Sequence, residues 1–173
     1  MITIGEKVRN LCKELSREQQ MFLGGPPFSS EINKEIENFE RYNKEGLPAR
    51  KRISLGIPEF DNDNHIIGYQ STTIILDANP TMYEKEYLHL EQSLRYAQLK
   101  KIFVHPNHQG SNIAGIMLNE SLGFADEFDI DWVTDVKTSN TRMIHFLAKH
   151  GIIEHYLWMT AKDTPMYRFQ KSK

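Results

Sequence analysis

Residues 102–118 constrain the fold more tightly than any other stretch of the chain. An apolar run, Ile102-Phe103-Val104, stops at His105-Pro106, because proline lacks the amide hydrogen a β-ladder requires. A few residues later Ala114, Met117, Leu118, Ser121 and Leu122 share one face at helical spacing, which predicts a helix over 113–124. A strand that turns sharply into a helix opened by small residues leaves several backbone N–H groups unpaired. These converge where the helix dipole is positive. Such a turn attracts an anion, with phosphate the foremost choice. No Gly-Lys-Ser/Thr closes the turn and the chain has no G-x-G-x-x-G sequence, so neither a Walker A site nor a dinucleotide fingerprint is supported.

Around this segment the periodicity alternates between helix and strand. Thr3 and Glu6 form a capping-box pair ahead of Ile4, Val8, Leu11 and Leu15, predicting a first helix that ends before Gly24-Gly25-Pro26-Pro27. Ser29 or Ser30 caps a second helix carrying Ile32, Ile36 and Phe39 on one face, which Gly46-Leu47-Pro48 stops. Runs rich in β-branched residues at 52–57 and 66–76 flank Asp61-Asn62-Asp63-Asn64 and read as an antiparallel hairpin. From Thr81, paired with Glu84 as a second capping box, Tyr83, Tyr87, Leu90, Leu94 and Ala97 predict one continuous helix. Lys100 to Val104 reads as a buried strand, followed by the helix at 113–124, a strand at 130–137, a helix at 140–150 and strands at 153–160 and 166–171. The pattern is α/β. With no repeat, linker or low-complexity tract, it is expected to form one domain over 1–173.

Composition narrows the function classes. Twenty-one Lys and Arg stand against 23 Asp and Glu, a formal charge of −2, which is not the footprint of a protein living on nucleic acid or anionic membrane. No apolar run approaches the roughly 20 residues that span a bilayer. Cys12 is the only cysteine, so no internal disulfide forms, and the expected location is the cytoplasm.

Residues 104–114, Val104-His105-Pro106-Asn107-His108-Gln109-Gly110-Ser111-Asn112-Ile113-Ala114, resemble motif A of the GNAT superfamily of acyl-CoA-dependent N-acyltransferases. That motif runs Gln or Arg, two residues, Gly, one residue, then Gly or Ala. Gln109 takes the first position, Asn112 the first glycine and Ala114 the last small residue. Residues 136–152 resemble motif B, in which a strand leads to an Asn, here Asn140, then an amphipathic helix and a Gly-apolar exit at Gly151-Ile152. Two motifs in the right order carry more than either alone. The resemblance spans residues 97–171, while the N-terminal half agrees only in its order of elements.

It implies a GNAT-like mixed central sheet flanked by helices, in which neighbouring parallel strands at 100–104 and 131–137 splay apart. The pantetheine arm of acetyl-CoA, the co-substrate, would lie in the gap against backbone of Ile102, Phe103 and Val104. Amides of Gln109, Gly110, Ser111, Asn112, Ile113 and Ala114 would hold the pyrophosphate, with Asn140 and Phe146 on the other side of the arm. The partner would be an amine acceptor, and family habit adds a homodimer.

Two departures bear on chemistry. Asn112 stands where the family has glycine, bringing a side chain toward the phosphates. Leu147 stands where many members carry the tyrosine that protonates the departing thiolate. Thiolate departure needs at most about 2 kcal/mol of help at neutral pH, since a free thiol has a pKa near 8.5, so catalysis survives the loss. The acceptor is more demanding, because an alkyl ammonium must shed a proton before it attacks. Gln98, near the position where some relatives keep a glutamate, cannot serve as the base. Asp135, His105 and Tyr156, with His155, are the residues left for that role, and a backbone N–H near Val104 would meet the oxyanion.

Plainer readings stand beside these. His105 and His108 are exposed turn residues rather than metal ligands. Trp132 and Trp158 are core aromatics, and Lys100-Lys101 is a solvated charge run. The sequence thus supports an N-acetyltransferase acting by direct attack in a ternary complex. The rival is a non-catalytic coenzyme A sensor or interaction module on the same fold.

Overall fold

The computed structural model describes residues 3–22, 31–46, 51–92 and 94–172. Six strands make one mixed sheet: β1 (Arg52–Phe60), β2 (Ile66–Ala78), β3 (Leu94–Val104), β4 (Asp131–Lys137), β5 (His155–Met159) and β6 (Pro165–Lys171), in spatial order β1-β2-β3-β4-β6-β5. Every neighbouring pair is antiparallel except β3 and β4, which run parallel through the crossover helix α5 (Ile113–Phe128). The other helices are α1 (Ile4–Glu14), α2 (Arg17–Phe22), α3 (Glu31–Glu45), α4 (Met82–Leu88) and α6 (Thr141–Lys149).

One sheet face buries Leu55, Ile74, Leu99, Trp132, Val136 and Phe169 against Leu118 and Phe124 of α5 and Leu147 of α6. A small polar knot anchors α5 there, where Ser121 Oγ accepts from Trp132 Nε1 at 2.8 Å and from Thr72 Oγ1 at 2.9 Å. On the opposite face Val8, Leu11 and Cys12 of α1 and Ile32 and Ile36 of α3 cover Tyr69 and Phe103. Among the described residues no helix is long and apolar enough to cross a membrane.

Two predicted elements need correction. The first helix is broken: Leu15 is extended at φ −69° and ψ 153°. Ser16 and Gln19 then restart it as α2, each side chain bonding the other's backbone N–H at 3.2 Å. The helix predicted from Thr81 through Ala97 ends at Leu88, where His89 takes a left-handed φ of 53°. Leu94 and Ala97 belong to β3. Their two-residue alternation is the strand signal: Leu94 and Tyr96 face one layer, Ala97 and Leu99 the other. The unpaired length of β2 supplies the partner that decides the matter. Trp132 and Trp158 are buried as expected. Ser29 and Ser30, Gly24 to Pro27, and Leu47 with Pro48 lie outside the described residues.

The feature that positions the site is a fork. β3 and β4 pair from Tyr96 opposite Asp131 to Leu99 opposite Thr134 and no further, although β3 runs on to Val104 and β4 to Lys137. At the branch point β3 carries a bulge. Thr72 of β2 lies opposite Leu99 and Ser71 opposite Lys101, leaving Lys100 as the extra residue. A bulge bends its strand and sharpens the local twist, which turns the end of β3 away from β4.

Candidate active site

The fork opens into a cleft of about 500 Å³, lined by residues 99–104 of β3, the turn after it, residues 134–137 of β4 and the start of α6. Beyond Leu99 the edge of β3 that faces β4 has no strand partner. Thr134 Oγ1 donates to the Leu99 carbonyl at 2.9 Å at one end, and Gln109 Nε2 to the Val104 carbonyl at 3.3 Å at the other. Ile102, Phe103 and Val104 therefore present backbone groups along one wall.

The turn after β3 is a single 3₁₀ turn at Pro106–His108, followed by Gly110 at φ +90°, a conformation that suits glycine. α5 then begins behind Asn112, whose own φ of 61° asparagine tolerates better than most residues. The first-turn amides of α5 have no helical acceptor, and Gln109, Gly110, Asn112, Ile113 and Ala114 all line the cleft. Ser111 does not; its hydroxyl donates to the His108 carbonyl.

The Asn112 side chain is not thrown across the turn. A Cβ at Gly115 would come within 2.5 Å of Asn112 Oδ1 and 3.0 Å of His150 Cε1, so the asparagine folds back over a glycine that makes room for it. On the far wall Asn140 Oδ1 accepts from the Met143 N–H at 3.2 Å and caps α6. Phe146 lies against His150 with centroids 4.7 Å apart and ring planes tilted by 57°. Leu147, by contrast, is fully buried in the core.

Arg142 was not singled out by sequence reasoning, yet its Nη2 donates to Gln109 Oε1 at 2.9 Å, joining the two walls. With Lys137 and Lys149, which also line the cleft, it gives the mouth a positive border. The available signal was its place in the first turn of a helix facing the turn after β3.

Of the residues expected to move the proton, Asp135 alone lines the cleft. Its carboxylate is committed: Arg168 donates from Nε at 2.7 Å and Nη2 at 2.6 Å, Gln98 Nε2 at 2.8 Å and Trp158 Nε1 at 3.2 Å. Arg168 is itself almost fully buried, and its planar fork satisfies both carboxylate oxygens. His105 Nδ1 accepts from the Asn107 N–H at 3.1 Å, which leaves the hydrogen on Nε2 facing Glu14 at 2.9 Å. Tyr156 sits on β5 opposite Arg168, half exposed, and His155 lies against Tyr167 and Phe169. His108 lines the cleft, its ring edge-on to His105 at 5.6 Å.

The Lys100-Lys101 run is more than a solvated end, although Lys100 itself stays exposed and Lys101 is half-buried. Both residues line the cleft. Lys101 Nζ lies 3.8 Å from both Glu31 and Glu35. Lys100 projects from the bulge, and burial pushes its ammonium below the usual lysine range. Ser16, Glu18 and Gln19, at the α1–α2 break, close the cleft from the N-terminal half.

A six-stranded mixed sheet forked between parallel strands, with a sharp turn and a helix N-terminus at the fork, is the GNAT-like architecture that the two motifs implied. Residues 16–152 match the acetyltransferase (GNAT) family model, and the chain belongs to that family. No curated protein sequence matches it significantly. Among solved structures, the GNAT domain of S. lividans PAT is 16% identical, with a TM-score of 0.61 over 99% of this chain and 88% of that one. A spermidine N-acetyltransferase SpeG chimera from Vibrio cholerae and hSSAT is 18% identical, with a TM-score of 0.56 over 96% and 87%. The NatC complex bound to Gag peptide and CoA is 11% identical, with a TM-score of 0.61 over 98% and 90%. At these identities the likeness shows the fold.

Proposed function

We propose that the chain, acting as one domain over 1–173, transfers acetyl from acetyl-CoA to a primary amine of a small molecule or protein. The observation that carries this reading is the fork, a strand edge at Ile102 to Val104 left unpaired by β4, running into the turn at Gln109 to Ala114 where α5 begins. The pantetheine amides would pair with that edge and the pyrophosphate with the turn. Arg142, Lys137 and Lys149 would contribute positive charge, and Asn140 and Phe146 the opposite wall. Gly110 and Asn112 supply the backbone shape the turn needs, while the amides of Gln109 and Ser111 are bonded within the turn, to the Pro106 and His108 carbonyls at 3.3 Å each, which leaves the pyrophosphate to the amides around them.

In a ternary complex the amine nitrogen attacks the thioester carbonyl carbon, whose oxygen takes up the electron pair and is met by a backbone N–H near Val104. The tetrahedral intermediate collapses to the amide as the C–S bond breaks and the electron pair passes to sulfur. No side chain becomes acylated. Asp135 acts in this reading as a positioning group that holds Arg168, Gln98 and Trp158 beneath the cleft. His105 and Tyr156 stay outside the reacting centre.

A second reading, a coenzyme A sensor or interaction module without catalysis, draws on Leu147 and Gln98 standing where relatives carry proton-transfer groups. A cytoplasmic location, from the cysteine content, and a homodimer, from family habit, complete the proposal. The test is free-thiol release from acetyl-CoA across a panel containing spermidine, peptides with free N-termini and lysine peptides. Thiol release with one class of amine supports the enzyme. Thermal stabilisation by acetyl-CoA without any release supports the sensor, and neither effect would sink both.

A further inference from the structure

Lys100 is the one charged cleft-lining side chain at the branch point that the reaction above leaves without a task. It is the inserted residue of the β3 bulge, immediately past the last rung joining β3 to β4. Its side chain opens on the cleft. Among the described residues its Nζ makes no hydrogen bond or ion pair, whereas the neighbouring charges are matched. Asp135 of β4 is paired with Arg168 of β6, Glu84 of α4 with Arg52 of β1, and Lys101 with Glu31 and Glu35 of α3. Glu18 of α2, His108 of the turn, Lys137 of β4, and Arg142, Lys149 and His150 at α6 are the other charged or titratable groups lining the cleft. Lys100 is solvent-accessible, but it opens on a cleft edged by the cations Lys101, Lys137, Arg142 and Lys149, and like charge favours the neutral amine.

We propose that Lys100, as the free amine, is the proton shuttle of the acyl transfer, receiving a proton from the attacking nitrogen and returning it to the departing sulfur. This rests on the acetyltransferase reading. The acceptor reaches the thioester as a neutral amine, having left one proton in water. As its nitrogen bonds to the carbonyl carbon it becomes cationic, and one N–H proton passes to the Lys100 Nζ lone pair. When the C–S bond breaks, the Lys100 ammonium delivers that proton to the thiolate, giving free coenzyme A and restoring the neutral lysine. Amide, thiol and enzyme are then balanced with no further reactant. One residue at the fork thus covers two vacancies, the base that Gln98 cannot be and the acid that Leu147 cannot be. The direction of the Lys100 shift agrees: burial comes first, opposed by Asp135 and Glu84 and reinforced by Arg168 and Arg52.

The first measurement is independent of turnover. In protein labelled with lysine at 13Cε and bound to acetyl-CoA, the Lys100 resonance, assigned by its loss in Lys100→Arg, is followed against pH. A midpoint at least about one unit below those of the surface lysines is expected. A midpoint among them overturns the proposal whatever the enzyme does. The second measurement is kcat for the best amine of the panel. Lys100→Met and Lys100→Arg should each lose about 100-fold or more while acetyl-CoA affinity by calorimetry stays within about twofold of wild type. The wild-type pH limb assigned to Lys100 should vanish in both. Arg keeps the charge but cannot give up its proton, so an active Lys100→Arg would overturn the shuttle in favour of a purely electrostatic role. A wild-type chain that binds acetyl-CoA but acylates no amine overturns the acetyltransferase reading itself, and with it the shuttle, even where Lys100 titrates low.

Discussion

Asp135 shows how a residue type legible in the sequence acquires its role only from partners far along the chain. A carboxylate on a strand beside a coenzyme cleft invites the role of base, yet Arg168, 33 positions away, fills both its oxygens across the β4–β6 ladder. Nothing local announces that pairing. Removing one member of a buried ion pair strands the other, so Asp135→Asn should lower unfolding free energy by about 3–5 kcal/mol, read as a fall in the urea midpoint. The turn after β3 is the opposite case. Its shape follows from proline, glycine and small residues within ten positions, which is why the strand–turn–helix was legible in the sequence alone. Gly110→Asp places a negative side chain where an anion is expected and also strains the backbone at φ +90°. Gly110→Asn carries a similar strain without the charge. Calorimetric titration with acetyl-CoA should show Asp losing at least about tenfold more affinity than Asn, in keeping with the worth of a helix-terminus charge in partly buried geometry.

The six strands were legible as elements because each carries its own apolar alternation, but their boundaries depended on partners. β3 was read six residues short, since Leu90, Leu94 and Ala97 fit a helical stripe until β2 offers a ladder. The restart of α2 was announced by Ser16 and Gln19, a capping pair hidden inside a longer helical pattern. α4 is a short helix held by one residue. Glu84 caps it through Thr81, and also accepts from Arg52 and Tyr96. Burial alone would raise its carboxyl, but the donors from Arg52, Thr81 and Tyr96 prevail and hold it at about 2, against 4.5 unperturbed. A depressed carboxyl stabilises the fold above its unfolded value and loses that contribution as pH falls through the folded one. Glu84→Gln should therefore be less stable than wild type at neutral pH. The gap in urea midpoint should narrow as pH drops from about 4.5 toward 2. A gap that widens on acidification would contradict this account of α4.

Across the whole molecule, the sheet is two three-stranded halves whose strands pair through one short parallel ladder between Tyr96–Leu99 and Asp131–Thr134, supplemented by side-chain bonds at the fork, with α5 as the covalent crossover. A ligand that touches β3, the turn and α6 at once tethers the halves to each other. At a hundred times its dissociation constant acetyl-CoA should add about 2.7 kcal/mol to stability, visible as a rise in Tm. Hydrogen exchange should slow on both sides of the fork together, at residues 100–104 and 134–137. Slowing on β3 alone would show that the coenzyme does not bridge. This arrangement was readable in outline, because the two motifs mark the two walls. The reach of the α1–α2 break into the cleft was not, since only the tertiary fold brings Ser16 and Glu18 to the fork.

An unfinished strand edge ordinarily recruits a neighbouring molecule and seeds aggregation. Here the open rungs of β3 face inward across a gap that narrows to nothing at Leu99, and a second polypeptide entering it would need about 5 Å of clearance on each side. A slim amide chain needs no such width. Under the function proposed above, that inward-facing edge would be covered by a coenzyme tail rather than by a strand of another copy of the protein.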